Sequence, residues 1–75
     1  MKEEHKTTYK IIGEEIRDLR HNKGWTQKDL ANRCRTVNRE KISKIENARE
    51  DYMLSTLIEI CQALGKDVRD LFGKN

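Results

Sequence analysis

Between Thr26 and Arg49 the chain gathers the side chains best able to hold a charged ligand. Lys28, Arg33, Arg35, Arg39, Lys41, Lys44 and Arg49 stand there against Asp29, Glu40 and Glu46, seven cations to three anions and a net +4. The rest of the 75-residue chain has nine cations to ten anions, a net −1. A basic stretch so confined is the electrostatic footprint of a polyanion-binding surface, nucleic acid above all. A solvated charged face is the plain alternative, and charge alone does not choose between them.

Other chemistries find less support. His5 and His21 fall near the N-terminus and at a helix end, with no acid, nucleophile or metal-ligand spacing around them, and there is no glycine-rich phosphate loop. A non-enzyme without metal, cofactor or small-molecule ligand is expected. Cys34 and Cys61 lack CxxC spacing, and both stand where a helical pattern wants an apolar residue. They read as small buried hydrophobes rather than a disulfide or metal site.

The elements that position these residues have little material to work with. Seventy-five residues give one domain, 1–75, with one small core and a flexible tail over 1–8. Charged residues make up 39% and aromatics 5%, so each apolar residue must be well placed, and an oligomer interface would help. No apolar run approaches the roughly 18 to 20 residues that span a bilayer, and "MKEEHKTT" lacks the apolar segment of a secretory signal. A soluble, cytoplasmic protein without membrane contact is expected.

Periodicity predicts an all-α fold of five helices. Ile12, Ile16 and Leu19 mark a first helix over Tyr9 to Lys23, capped by Thr7 or Thr8 and closed by Gly24. Thr26 and Asp29 form a capping box for a second, whose inner face is Leu30, Ala31 and Cys34. A third starts at Asn38 and buries Ile42 and Ile45. The fourth carries Leu54, Leu57, Ile58, Cys61 and Leu64, ends at Gly65, and takes Asp51 as its cap. A capping-box pattern of Asp67 and Asp70 opens a short last helix with Val68, Leu71 and Phe72, ended by Gly73. No segment alternates long enough for a strand, and no repeat is evident.

"IGEEIRDLRHNKGWTQKDLANRC", then "VNREKISKIENARE" and "LSTLIEICQALGKDVRDLFG", resemble the Cro/repressor-type (XRE-like) helix-turn-helix transcription regulators. The resemblance covers residues 11 to 73. It implies a compact lambda-repressor-like bundle with the helix-turn-helix in helices 2 and 3, the third entering the DNA major groove. Asn38, Arg39, Glu40 and Lys44 would then read bases. Arg39 suits guanine through its planar fork, and Glu40 suits a cytosine amino group. A carboxylate there would be a liability on a purely phosphate-binding surface, although Glu40 can instead pair with Lys44 at i,i+4.

The resemblance further implies that Gln27 contacts phosphate and braces the recognition helix, with Asn47, Arg49, Ser43, Lys41, Lys28 and Arg35 as further phosphate contacts. It makes Arg20 and Glu46 a structural ion pair locking helix 1 to helix 3. It also implies a homodimer on a palindromic operator, acting as a repressor, with Val68, Leu71 and Phe72 at the dimer surface or closing the core. The rival is an antitoxin-like protein that neutralises a protein partner and binds DNA for autoregulation.

Three departures from the family pattern bear on the site. Arg35-Thr36 replace a single glycine in the turn, making it one residue longer; Ala48 replaces the glycine after helix 3; and Tyr52-Met53 replace a proline and a capping residue. Trp25 is expected as a lid over helices 1 and 2.

Overall fold

Residues 2–72 are described by the structure, a computed structural model. A 3-10 turn, Glu3–His5, runs straight into α1, Lys6–Asn22. The helix thus begins three residues before Tyr9, neither Thr7 nor Thr8 caps it, and the residues expected as a tail are helical from Glu3. No glycine or proline interrupts this stretch, and Glu3 and Glu4 suit the positive end of the helix dipole. Gly24, at φ 72°, closes α1 while the amide of Trp25 reaches back to the Arg20 carbonyl at 3.1 Å.

The Thr26–Asp29 capping box opens α2, Gln27–Asn32, with both reciprocal bonds present at 2.9 and 3.0 Å. Asn38 caps α3, Arg39–Glu46, by accepting from the Lys41 amide at 2.8 Å. After α3 the chain turns through Ala48 at φ 54°, the left-handed position where glycine is usual, and Arg49 donates to the Lys44 carbonyl at 2.9 Å. The reversal is the same as that at Gly24, made with a methyl that lies buried.

α4, Leu54–Ala63, follows Met53, and no side chain caps it. Asp51 is not its cap; that carboxylate acts on the Tyr9 hydroxyl instead and raises its pKa. Leu57, Ile60, Cys61 and Leu64 face the core, whereas Leu54, expected among them, is 63% exposed and Ile58 is half-buried. Leu54 shares the inward face but is the first residue of the helix, beyond the edge of the core.

The expected fifth helix is a single 3-10 turn, Val68–Leu71, so the described residues hold four α-helices. No capping box forms with Asp70. Asp67 accepts from the Arg69 amide at 2.8 Å and grips the Arg69 guanidinium at 2.7 and 2.9 Å, and these bonds hold its carboxyl down at about 2. In 3-10 geometry residues i and i+3 eclipse, which lets Val68 and Leu71 both pack on the core while Phe72 is left 58% exposed. Gly73 lies outside the described residues.

Ile16, Leu30, Ile42, Ile45, Ile60, Cys61 and Leu64 are fully buried, so all four helices or their ends contribute to one core. Each large aliphatic side chain so buried contributes about 1.5–3 kcal/mol. Among the described residues no helix is long and apolar enough to cross a membrane.

Candidate nucleic-acid interface

α3 can present its outer face only if its inner end is fixed, and one carboxylate does most of the fixing. The Glu46 side chain is wholly buried and takes Arg20 bidentately, Nε to Oε2 at 2.7 Å and Nη2 to Oε1 at 2.9 Å. Gln27 at the start of α2 donates to the same Oε1 at 3.1 Å, and Arg17 approaches it at 3.5 Å. Arg20 also donates to the Trp25 carbonyl at 2.8 Å. Burial works to raise the Glu46 carboxyl, but the bonds from Arg20, Gln27 and Arg17 outweigh it and hold it below the usual carboxylate range. The hydrogen bond to Glu46 in turn raises Arg20 against the opposing effect of burial. Three helices therefore meet on one charge, and Gln27 takes the bracing part of its expected role.

The approach of α1 to this junction is equally tight. A methyl on Gly13 would lie 2.6 Å from the carbonyl oxygens of both Ile45 and Glu46. Only a residue without Cβ lets the two helices touch here.

Between α2 and α3 no residue takes a positive φ, so the missing glycine is not replaced by another strained position. Glu59 of α4 seals the turn instead. Its carboxylate accepts from the amides of Arg35 and Thr36, each at 2.6 Å, and from the Thr36 hydroxyl at 2.7 Å. These bonds, the Thr36 amide foremost, lower the Glu59 carboxyl. With its backbone donors satisfied in this way, the longer turn needs no left-handed residue.

Lys28, Arg35, Arg39 and Arg49 are exposed, and their side chains make no hydrogen bond or ion pair with any described residue. An open groove between α2 and α3 is lined by Lys28, Arg35 and Arg39 together with Gln27 and Asn38, and no carboxylate lines it. Arg33 turns away from it, its guanidinium 4.0 Å from the Trp25 ring centre with Lys23 at 5.2 Å. Trp25 is partly buried against the core.

The opposite flank of α3 is different. Lys41 Nζ contacts Glu50 at 2.6 Å, and Lys44 stands 3.9 Å from Glu50 and 4.0 Å from Glu40. Asn38 is exposed with its side-chain oxygen engaged by the Lys41 amide, and Glu40 is exposed. Asn47 accepts from Arg17 at 2.9 Å and donates to the Ser43 carbonyl at 2.8 Å, which ties it to α1 and α3; Ser43 itself is half-buried. Reasoning from sequence missed Arg17, Gly13, Glu50 and Glu59. Only Gly13 left a signal, as a lone glycine within an amphipathic stripe.

Comparison with known proteins places this architecture. Residues 11–71 match the family described as "Helix-turn-helix domain". The chain is similar to the crystal structure of the clp gene regulator ClgR from Corynebacterium glutamicum, with 31% identity over 85% of this chain and 67% of that one, at a TM-score of 0.77. It is likewise similar to the hypothetical transcription factor NHTF from Neisseria, with 32% identity over 84% of this chain and 71% of that one, also at 0.77. No curated protein matches. With the family pattern matched over nearly its whole described length, the chain belongs to the helix-turn-helix domain family.

Proposed function

We propose that this protein is a sequence-specific, double-stranded-DNA-binding transcription regulator, acting as a homodimeric repressor on a palindromic operator. The observation that carries the reading is Arg39. It opens the first turn of α3, is exposed, makes no side-chain hydrogen bond or ion pair with any described residue, and borders a groove lined by Lys28 and Arg35. An unpaired guanidinium there is free to pair bidentately with a guanine edge, while the cations beside it meet phosphate. The two solved structures described as a clp gene regulator and a hypothetical transcription factor support the same role.

Selection from a randomised duplex library tests the reading. The wild type should enrich a palindrome with half-sites about one helical turn apart. Arg39→Ala should relax one base position in each half-site, at a cost of about 1–3 kcal/mol in discrimination. Enrichment of no sequence would overturn the proposal. Phe72 is the exposed member of the expected dimer surface, and Phe72→Glu should shift sedimentation toward the monomer if that surface joins two copies.

A further inference from the structure

The two flanks of α3 differ in charge although both carry cations. Toward α2 the cations Lys28, Arg35 and Arg39 pair with no described residue. On the other flank Lys41 and Lys44 share Glu50, which lies in the segment between α3 and α4 and bonds to Lys41 at 2.6 Å with Lys44 at 3.9 Å. Glu40 stands 4.0 Å from Lys44 and completes a cluster of two cations and two anions. Lys41, Lys44, Glu40 and Glu50 line one open depression together with Thr56 of α4. A lysine already holding a carboxylate releases no counterion when DNA arrives unless it first gives up its partner.

We infer that Glu50 is an internal counter-charge that withholds Lys41 and Lys44 from the DNA backbone and so limits sequence-blind binding. The inference rests on the proposed DNA-binding function. The arrangement leaves backbone attraction on this face to the free cations Lys28, Arg35 and Arg49, beside the base-reading Arg39. A larger share of the binding energy then falls to contacts that read bases. Glu50 is accordingly a specificity-determining residue that touches no base itself.

Glu50→Gln keeps the shape and removes the charge. Its affinity for a duplex of random sequence should be read by fluorescence anisotropy over a salt series, beside wild type, Lys41→Gln and the double variant. Each lysine released should steepen the slope of log K against log salt by about 0.9, which is roughly an eightfold gain near 0.1 M salt. Glu50→Gln should therefore bind random duplex about 8-fold or more tighter than wild type. In the Lys41→Gln background only Lys44 is left to be released, so the gain in slope should fall to no more than about 0.9. A uniform gain in both backgrounds would show a mere change in net charge and overturn the inference. So would a Glu50→Gln slope equal to that of a wild type that binds DNA, which leaves the DNA-binding reading intact. Failure of both wild type and Glu50→Gln to bind any duplex would remove that reading and the inference together.

Discussion

Replacing Gly13 by alanine sets two physical effects against each other, and the sign of the result decides between them. Alanine in a helix interior is favoured over glycine by about 1 kcal/mol, so propensity alone calls for a more stable protein. The structure calls for the opposite. The new methyl would lie 2.6 Å from two carbonyl oxygens and 3.0 Å from the Glu46 carbonyl carbon, whereas a comfortable carbon–oxygen contact is about 3.3 Å or more. All three atoms are backbone at the end of α3, so no side chain can rotate aside. α1 and α3 must separate by several tenths of an ångström, and overpacking of this kind costs about 1–3 kcal/mol. Rigid neighbours place this site toward the upper end, which leaves a net loss of about 1–2 kcal/mol after the propensity gain. For a domain of this size the melting temperature should fall by roughly 4–16 °C. Thermal and urea denaturation followed by circular dichroism would measure it. A variant equal to or more stable than wild type would refute the close approach.

Other perturbations probe the remaining junctions. Glu46→Ala leaves Arg20 buried without its anion and should cost about 3–5 kcal/mol, while Arg20→Met combined with Glu46→Leu should cost much less; equal losses in chemical denaturation would deny the pair its buried character. The folded-state pKa of Glu46 is lowered, so its contribution is present above the unfolded carboxylate value of about 4.3 and is lost as pH falls from there through the folded value. Stability of the wild type should accordingly drop more steeply below about pH 4 than that of Glu46→Gln, and parallel curves would contradict this. Glu59→Gln should speed hydrogen exchange at the Arg35 and Thr36 amides and alter the acid titration of their chemical shifts, and unchanged exchange would mean the turn is held otherwise. The Tyr52 hydroxyl is buried without a hydrogen-bond partner among the described residues, and burial raises it to about 12. Tyr52→Phe should therefore be neutral or stabilise by up to about 1 kcal/mol, and a clear loss of stability would reveal a partner for that hydroxyl.

The pattern of the sequence reached the elements whose cause is local. Thr26 and Asp29 sit three apart before an apolar run, and the capping box they spell is present; Asn38 caps α3 for the same reason. Gly24 and Gly65 close α1 and α4 at positive φ, where glycine escapes a steric penalty. Periodicity failed at the ends of things. Leu54 has the spacing of a core residue but lies past the rim of the core, and Ile60, which the stripe omitted, is fully buried. The last segment has apolar residues suited to a helix, yet only a single turn forms after Asp67 commits its carboxylate to Arg69. Arg20–Glu46 was legible only through resemblance, since a separation of 26 residues has no local signature. Glu50 and Glu59 were illegible in the same way. Their partners are set by how α4 and the segment before it return across α3, a fact of tertiary packing that no spacing along the chain encodes.

The longer turn raises the question of what sets the angle of α3, and the contacts answer it without the turn. From α1, Gly13 admits the end of α3 and Arg20 grips Glu46; from α2, Gln27 reaches the same carboxylate. Ile42 and Ile45 are wholly buried against the other helices, which fixes rotation about the α3 axis. Position, tilt and rotation are thus constrained at the C-terminal end and along the buried face, whereas the turn joins only the N-terminal end. An extra residue there alters the path between two helices that are already placed. Glu59 then satisfies the backbone donors exposed by the detour, so the insertion costs no buried, unpaired amide. On this account the glycine usual in such a turn is one solution to closing it, and the sequence has exchanged a conformational solution for an electrostatic one supplied by α4.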